Sequence, residues 1–188
     1  MKSRVLLTAL FVVLLTGLVC YANDVMINGD FEVVDPNNAD RPLAWSPQAF
    51  STNSSFAYVY DPAGAFSGSR YVAITVPTRD DRGQWGQEFR DLPAGDYKLS
   101  LYYRIDEPLV TVGSAVGSSV RILRLTKSWE KVFPDTMYDV DNYTFGEWEY
   151  AEFIFEVTPE VEVIWIELFN WFGVGTVYFD AVKLEKVN

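Results

Sequence analysis

The chain has 188 residues, with 15 basic against 26 acidic, no histidine and one cysteine. A net charge of −11 has the wrong sign for a phosphate-neutralising nucleic-acid binder. The lack of histidine excludes imidazole triads and His metal sites, and a single Cys excludes an intrachain disulfide framework or a multi-Cys zinc site.

Residues 1–22 read as a secretory signal. Lys2 and Arg4 form a charged start, Val5 to Val19 is an apolar run, and Cys20-Tyr21-Ala22 precedes a cut ahead of Asn23. The run is shorter than the ~20 residues that span a bilayer comfortably. A retained anchor stays open as the alternative, whereas Val19 before Cys20 is a poor fit to a lipoprotein. Loss of Lys2 and Arg4 takes the 15 basic residues to 13 against 26 acidic, and the net charge to −13. Cys20 leaves as well, so the expected product, residues 23–188, is one extracellular domain without thiols. Asn53-Ser54-Ser55 and Asn142-Tyr143-Thr144 fit the glycosylation sequon, a weak signal in a chain of this composition.

Beyond residue 23, alternation with period two replaces any helical periodicity. Residues 97–105 place Leu99, Leu101, Tyr103 and Ile105 on one face and Ser100, Tyr102 and Arg104 on the other. Residues 151–157 turn Phe153, Phe155 and Val157 inward and Glu152 and Glu156 outward. In 161–170, Ile164, Ile166 and Leu168 oppose Val163, Trp165 and Glu167; near the end Val177 and Phe179 oppose Tyr178 and Asp180. Turn chemistry separates the runs, as in Asp61-Pro62-Ala63-Gly64 and Leu92-Pro93-Ala94-Gly95-Asp96. About eight to ten short strands at this spacing predict an all-β, two-sheet antiparallel sandwich. Residues 113–119, rich in Gly and Ser, read as a loop or a loose edge strand.

The order of motifs is informative. Ile27-Asn28-Gly29-Asp30-Phe31-Glu32 opens the domain, and Arg41-Pro42-Leu43-Ala44-Trp45 follows. Then come Ser67-Gly68-Ser69-Arg70-Tyr71, Gln87-Glu88-Phe89, Gly146-Glu147-Trp148 and Thr176-Val177-Tyr178-Phe179-Asp180. This series resembles carbohydrate-binding modules of the galactose-binding-like jelly-roll superfamily, especially families 4, 9 and 22, over essentially all of 23–188. The resemblance implies a jelly-roll sandwich and a structural calcium where the opening segment meets the closing strand. The residues implicated are Glu32 and Asp180, less directly Asp30, with backbone oxygens near Ser69; hard oxygen donors suit the ion. The alternative is that these carboxylates satisfy turn amides.

The resemblance also implies a sugar cleft on the outer face of one sheet. Pyranose C–H faces stack on aromatic rings, and hydroxyls bond planar polar groups, so a site needs Trp or Tyr beside Gln, Glu or Arg. Trp85 with Gln87, Tyr102 with Arg104, and Trp165 with Glu167 each share one strand face and are the expected contacts. Arg121 and Arg124 differ in parity, so at most one faces a cleft. Trp171 is read as a loop rim, and Trp45, Trp129 and Trp148 as core or loop anchors. Free-standing modules of this kind depart from the usual attachment to a catalytic domain.

Catalysis could rest only on carboxylate pairs such as Asp80-Asp81, Asp139/Asp141 or Glu147/Glu149, and such pairs are expected by chance among 26 acids. The sequence therefore predicts a secreted, non-catalytic glycan binder. The competing reading is a structural or adhesive cell-surface sandwich whose aromatics are core or a protein contact patch.

Overall fold

The computed structural model describes residues 24–50, 53–111 and 117–187; the expected signal segment 1–22 lies outside them. Twelve strands follow in chain order: β1 (Val34–Asp35), β2 (Asn38–Pro42), β3 (Ser46–Ala49), β4 (Ser55–Tyr60), β5 (Arg70–Val76), β6 (Arg82–Arg90), β7 (Gly95–Arg104), β8 (Gly117–Leu125), β9 (Thr136–Asp139), β10 (Glu149–Val157), β11 (Val163–Trp171) and β12 (Gly175–Val187). No helix occurs among the described residues.

Alternation sorts the strands into two antiparallel five-stranded sheets. The front sheet runs β3-β6-β11-β8-β9 and the back sheet β10-β7-β12-β5-β4, while β1 and β2 form a small separate ribbon. Leu99 and Leu101 of β7 meet Ile122 of β8 and Ile164 and Ile166 of β11 in one buried cluster between the sheets. Burying each of these side chains contributes about 1.5–3 kcal/mol. The result is an all-β, two-sheet antiparallel sandwich, as the alternation predicted.

One interruption in β12 matters. Val177 and Phe179 point inward, then the register slips between Asp180 and Lys183, and Ala181 takes a φ of 49°. Beyond the slip Val182 and Leu184 are again inward. The bulge keeps the apolar residues on both sides of the slip in phase with the core, while Asp180, opposite in parity to Phe179, faces outward before it.

The opening segment laces the sandwich shut. Val25 N donates to Leu184 O at 2.7 Å and Val182 N to Gly29 O at 2.8 Å, tying the segment to the back sheet. Gln87 of the front sheet binds it in return, accepting from Ile27 N at 2.9 Å and donating to Ile27 O at 2.8 Å. Gly29 is required by close approach, since a Cβ there would lie 1.8 Å from Val182 O. Residues 117–119 are not an edge: they begin β8, an interior strand, and Ser118 and Ser119 are fully buried.

Candidate functional site

The six side chains expected to touch sugar separate into three environments. Trp85 and Gln87 share a face, as their spacing requires, but it is the inner one. Trp85 is 1% exposed, sits edge-on to Phe56 at 5.8 Å and donates its indole N–H to Ala73 O at 3.1 Å. Gln87 is buried beside it and holds the opening segment. The pair is core and closure, not ligand contact. The reason is that Phe89, of the same parity, is also a core residue, whereas Gln84, Gly86 and Glu88 form the outward set.

Tyr102 and Arg104 face outward on the back sheet, and Arg104 is enclosed there. Its guanidinium lies over Tyr178 at 4.6 Å, Trp148 at 5.0 Å and Tyr71 at 5.5 Å. It donates to Gly64 O at 2.9 Å and pairs with Asp106 at 2.9 Å. Trp148 donates to the same Gly64 oxygen at 2.9 Å, so both residues clamp the 61–66 turn. Arg104 is thus a loop clamp. Its cation is shielded by three rings and already neutralised.

Trp165 and Glu167 do face outward, at the centre of the front sheet. The inter-strand register puts Glu167 between Gly86 and Arg121, and Trp165 between Glu88 and Leu123. Gly86 leaves the Trp165 ring lying on backbone, because a Cβ there would already touch it at 3.5 Å. A groove of about 420 Å³ crosses this face, with Gln48 and Phe50 at one end and Trp129 and Lys131 at the other. That volume lies within the ~300–1,000 Å³ of ligand sites.

A continuous polar chain runs across the groove floor. Gln84 Nε2 donates to Gln48 Oε1 at 3.0 Å and to Glu167 Oε1 at 2.7 Å. Arg121 Nη1 donates to Glu167 Oε2 at 3.3 Å, and Arg121 also forks onto Asp135 at 3.1 and 2.8 Å. Lys131 closes the chain on Asp135 at 3.2 Å. Burial pushes the Glu167 carboxyl above the usual carboxylate range, and Arg121 opposes that push. The Arg121 guanidinium holds Asp135 below its ordinary value. Gln84 is fully buried beneath the groove, so it acts by holding Gln48 and Glu167 in place. Side chains locked to one another in this way form a preorganised surface.

Trp129 completes the groove and corrects its reading as core or anchor. It is 55% exposed, on the turn after β8, with a φ of 63° that is unusual for a bulky residue. Its backbone N–H donates to Thr126 O at 2.9 Å, and Arg90 backs its ring at 5.4 Å. Phe50 at the far end is 43% exposed, stacked on Phe169 and backed by Arg82 at 5.0 Å. Of the two arginines, Arg121 faces the groove. Arg124 points inward and donates to Glu156 O and Pro134 O at 3.0 and 2.6 Å. Trp171 ends β11 rather than lying in a loop.

The acids near the opening segment surround residues 66–70. Glu32 Oε1 accepts from Ser69 N and Arg70 N, both at 2.7 Å, and Oε2 from the Ser69 hydroxyl at 2.8 Å. Asp180 Oδ2 accepts from Phe66 N and Ser67 N, both at 2.9 Å, and Oδ1 from Ala181 N at 2.6 Å. Gly68 at φ 63° leaves the room, since a Cβ would come 2.5 Å from Glu32 Oε1. Burial pushes Asp180 up to about 6 against three amide donors, and the nearby Glu32 charge adds to the rise. Both carboxylates thus satisfy turn amides, as the alternative expected, and each keeps one lone pair through which a hard cation such as calcium would bind. Asp30 does not join them: it accepts from Glu32 N at 3.4 Å within its own turn. Among the described residues no cluster of three or more acidic, His or Cys side chains suits a metal, so carbonyl oxygens would have to complete any shell.

No protein-family model and no curated protein matches the sequence. Solved structures do match in fold. The enzymatically active domain of tailspike protein 4 from bacteriophage CBA120 aligns with 87% of this chain and 21% of its own, at TM-score 0.66 and 14% identity. The module-plus-catalytic portion of Clostridium thermocellum xylanase 10B, complexed with xylohexaose, aligns over 88% of this chain and 29% of its own, at TM-score 0.60 and 16% identity. This chain therefore spans between a fifth and a third of those two. A family 61 carbohydrate-binding module in complex with β-1,4-galactotriose is matched over 99% of its length and 87% of this chain, at TM-score 0.56 and 15% identity. The chain thus has the jelly-roll β-sandwich architecture of the carbohydrate-binding modules.

Proposed function

We propose that this is a secreted, non-catalytic glycan-binding domain whose ligand lies in the front-sheet groove. The observation that carries the reading is Trp165 at the centre and exposed Trp129 at one wall, flanking the locked chain Gln48–Gln84–Glu167–Arg121. The rings offer stacking faces for pyranose C–H groups and the chain offers fixed donors and acceptors. The charges in the groove pair internally, Arg121 and Lys131 with Asp135 and Arg121 again with Glu167, so the surface suits a neutral sugar. A calcium held by Glu32 and Asp180 would act away from the groove. It would neutralise two neighbouring carboxylates and pin residues 66–70 to the closing strand.

The test is retention on insoluble polysaccharides and binding to a glycan array. Trp165→Ala and Trp129→Ala are expected to weaken capture at least about tenfold with little loss of thermal stability. Chelator is expected to lower Tm while leaving binding in place below the transition. No glycan bound at high micromolar protein would overturn the reading in favour of an adhesive sandwich.

A further inference from the structure

The back sheet carries its own aromatic hollow, some distance in character from the groove. The register aligns three outward rows there: Tyr150–Tyr102–Asp180, Glu152–Ser100–Lys183 and Ile154–Lys98–Glu185. Phe66, 42% exposed, lies flat on Tyr102 at 3.4 Å, and Tyr150, 50% exposed, leans on Tyr102 at 5.3 Å. With Ser100 as floor, they enclose about 360 Å³. Asp180 positions Phe66 through the hydrogen bond from its N–H.

The charges of this hollow differ from those of the groove. Glu185 is committed to Lys98 at 3.2 Å, and Glu152 accepts from the Tyr150 hydroxyl at 2.7 Å. Lys183 is exposed, lines the hollow, and forms no ion pair among the described residues. The β12 bulge aims it there: without the slip after Asp180, residue 183 would share the inward parity of Val177 and Phe179. An aromatic platform beside an exposed ammonium that forms no ion pair among the described residues matches a ring that carries a negative group.

We propose that this hollow is a second carbohydrate site, taking a pyranose with an anionic substituent, carboxylate or sulfate. It is separate from the groove and does not rest on it. The sugar face stacks on Phe66 and Tyr150 while the anion meets Lys183.

The test is titration of isotope-labelled Trp165→Ala chain, followed by amide chemical shifts, with trigalacturonate, a sulfated galactotriose and neutral β-1,4-galactotriose. Shifts are expected at Ser100, Tyr102, Tyr150 and Lys183 with an anionic probe, and the better of the two anionic probes identifies the substituent. Lys183→Gln, at an exposed position, is expected to weaken that binding about fivefold and to remove most of its salt dependence. Titrating the unsubstituted chain separates the faces by which amides move, should the Trp165 variant be unstable. The proposal is overturned if neither anionic probe moves these amides, or if the neutral trisaccharide binds here equally well. Failure of the groove to bind neutral sugar would instead show as unmoved front-sheet amides in the unsubstituted chain.

Discussion

The outer faces of the two sheets start from the same alternation and end differently. On the front sheet the outward side chains of β3, β6, β11 and β8 bond one another across the strands, and the face stays open as a groove. On the back sheet, residues 61–70 fold over the outward side chains; they enclose Arg104 and bury Asp180. The difference teaches that strand parity assigns a side chain to a face but does not decide whether that face meets solvent. A loop arriving from elsewhere in the chain settles that.

Two tryptophans sharpen the comparison most. Trp85→Ala removes a buried ring between the sheets and is expected to cost about 3–5 kcal/mol, seen as a Tm lowered by roughly 10 °C or more. The same truncation at Trp165 should leave Tm within a few degrees. Equal losses of stability at both positions would break the distinction between core and groove.

Arg121→Ala tests the locked chain on the front face. It leaves Glu167, 4% exposed, with Gln84 but without its cation, and is expected to cost about 3 kcal/mol in chemical denaturation. Arg121→Ala with Glu167→Gln should recover a good part of that loss. If the single variant is neutral, the chain is a surface ornament and the groove is not preorganised.

The loop side is tested by pH. Asp180 titrates near 6 when folded and near 3.9 when unfolded, so between those values the folded state binds more protons. Its contribution is fully present below the unfolded value and is lost as pH rises through about 6. Metal-free protein is therefore expected to lose stability over that interval, and added calcium to restore it at the upper end. A melting profile indifferent to calcium at pH 7 would remove the ion from the account of this loop.

The smallest effect concerns Asp135, which Arg121 holds below its ordinary range. The stability it supplies is present above the unfolded value and lost as pH falls through the lower folded one. Asp135→Asn should flatten that acid limb by less than about 1 kcal/mol.

By itself the sequence determined the sandwich and the inward residues of β7, β10, β11 and β12, because alternation is local and every strand must bury one side. The resemblance to known modules implied that Glu32, Asp180 and Asp30 meet near Ser69; the structure brings Glu32 and Asp180 to residues 66–70 and leaves Asp30 in its own turn. The choice between inside and outside for Trp85 and Gln87 was not legible locally. A Trp-x-Gln pair is amphipathic either way, and only the partner strands and the opening segment show that Gln87 is satisfied indoors. Nor could spacing reveal Gln48, Gln84, Trp129 and Lys131 as neighbours of Trp165 and Glu167, since they come from different strands and a turn. The tertiary structure decided the site because a binding surface is a row across strands, whereas sequence periodicity runs along them.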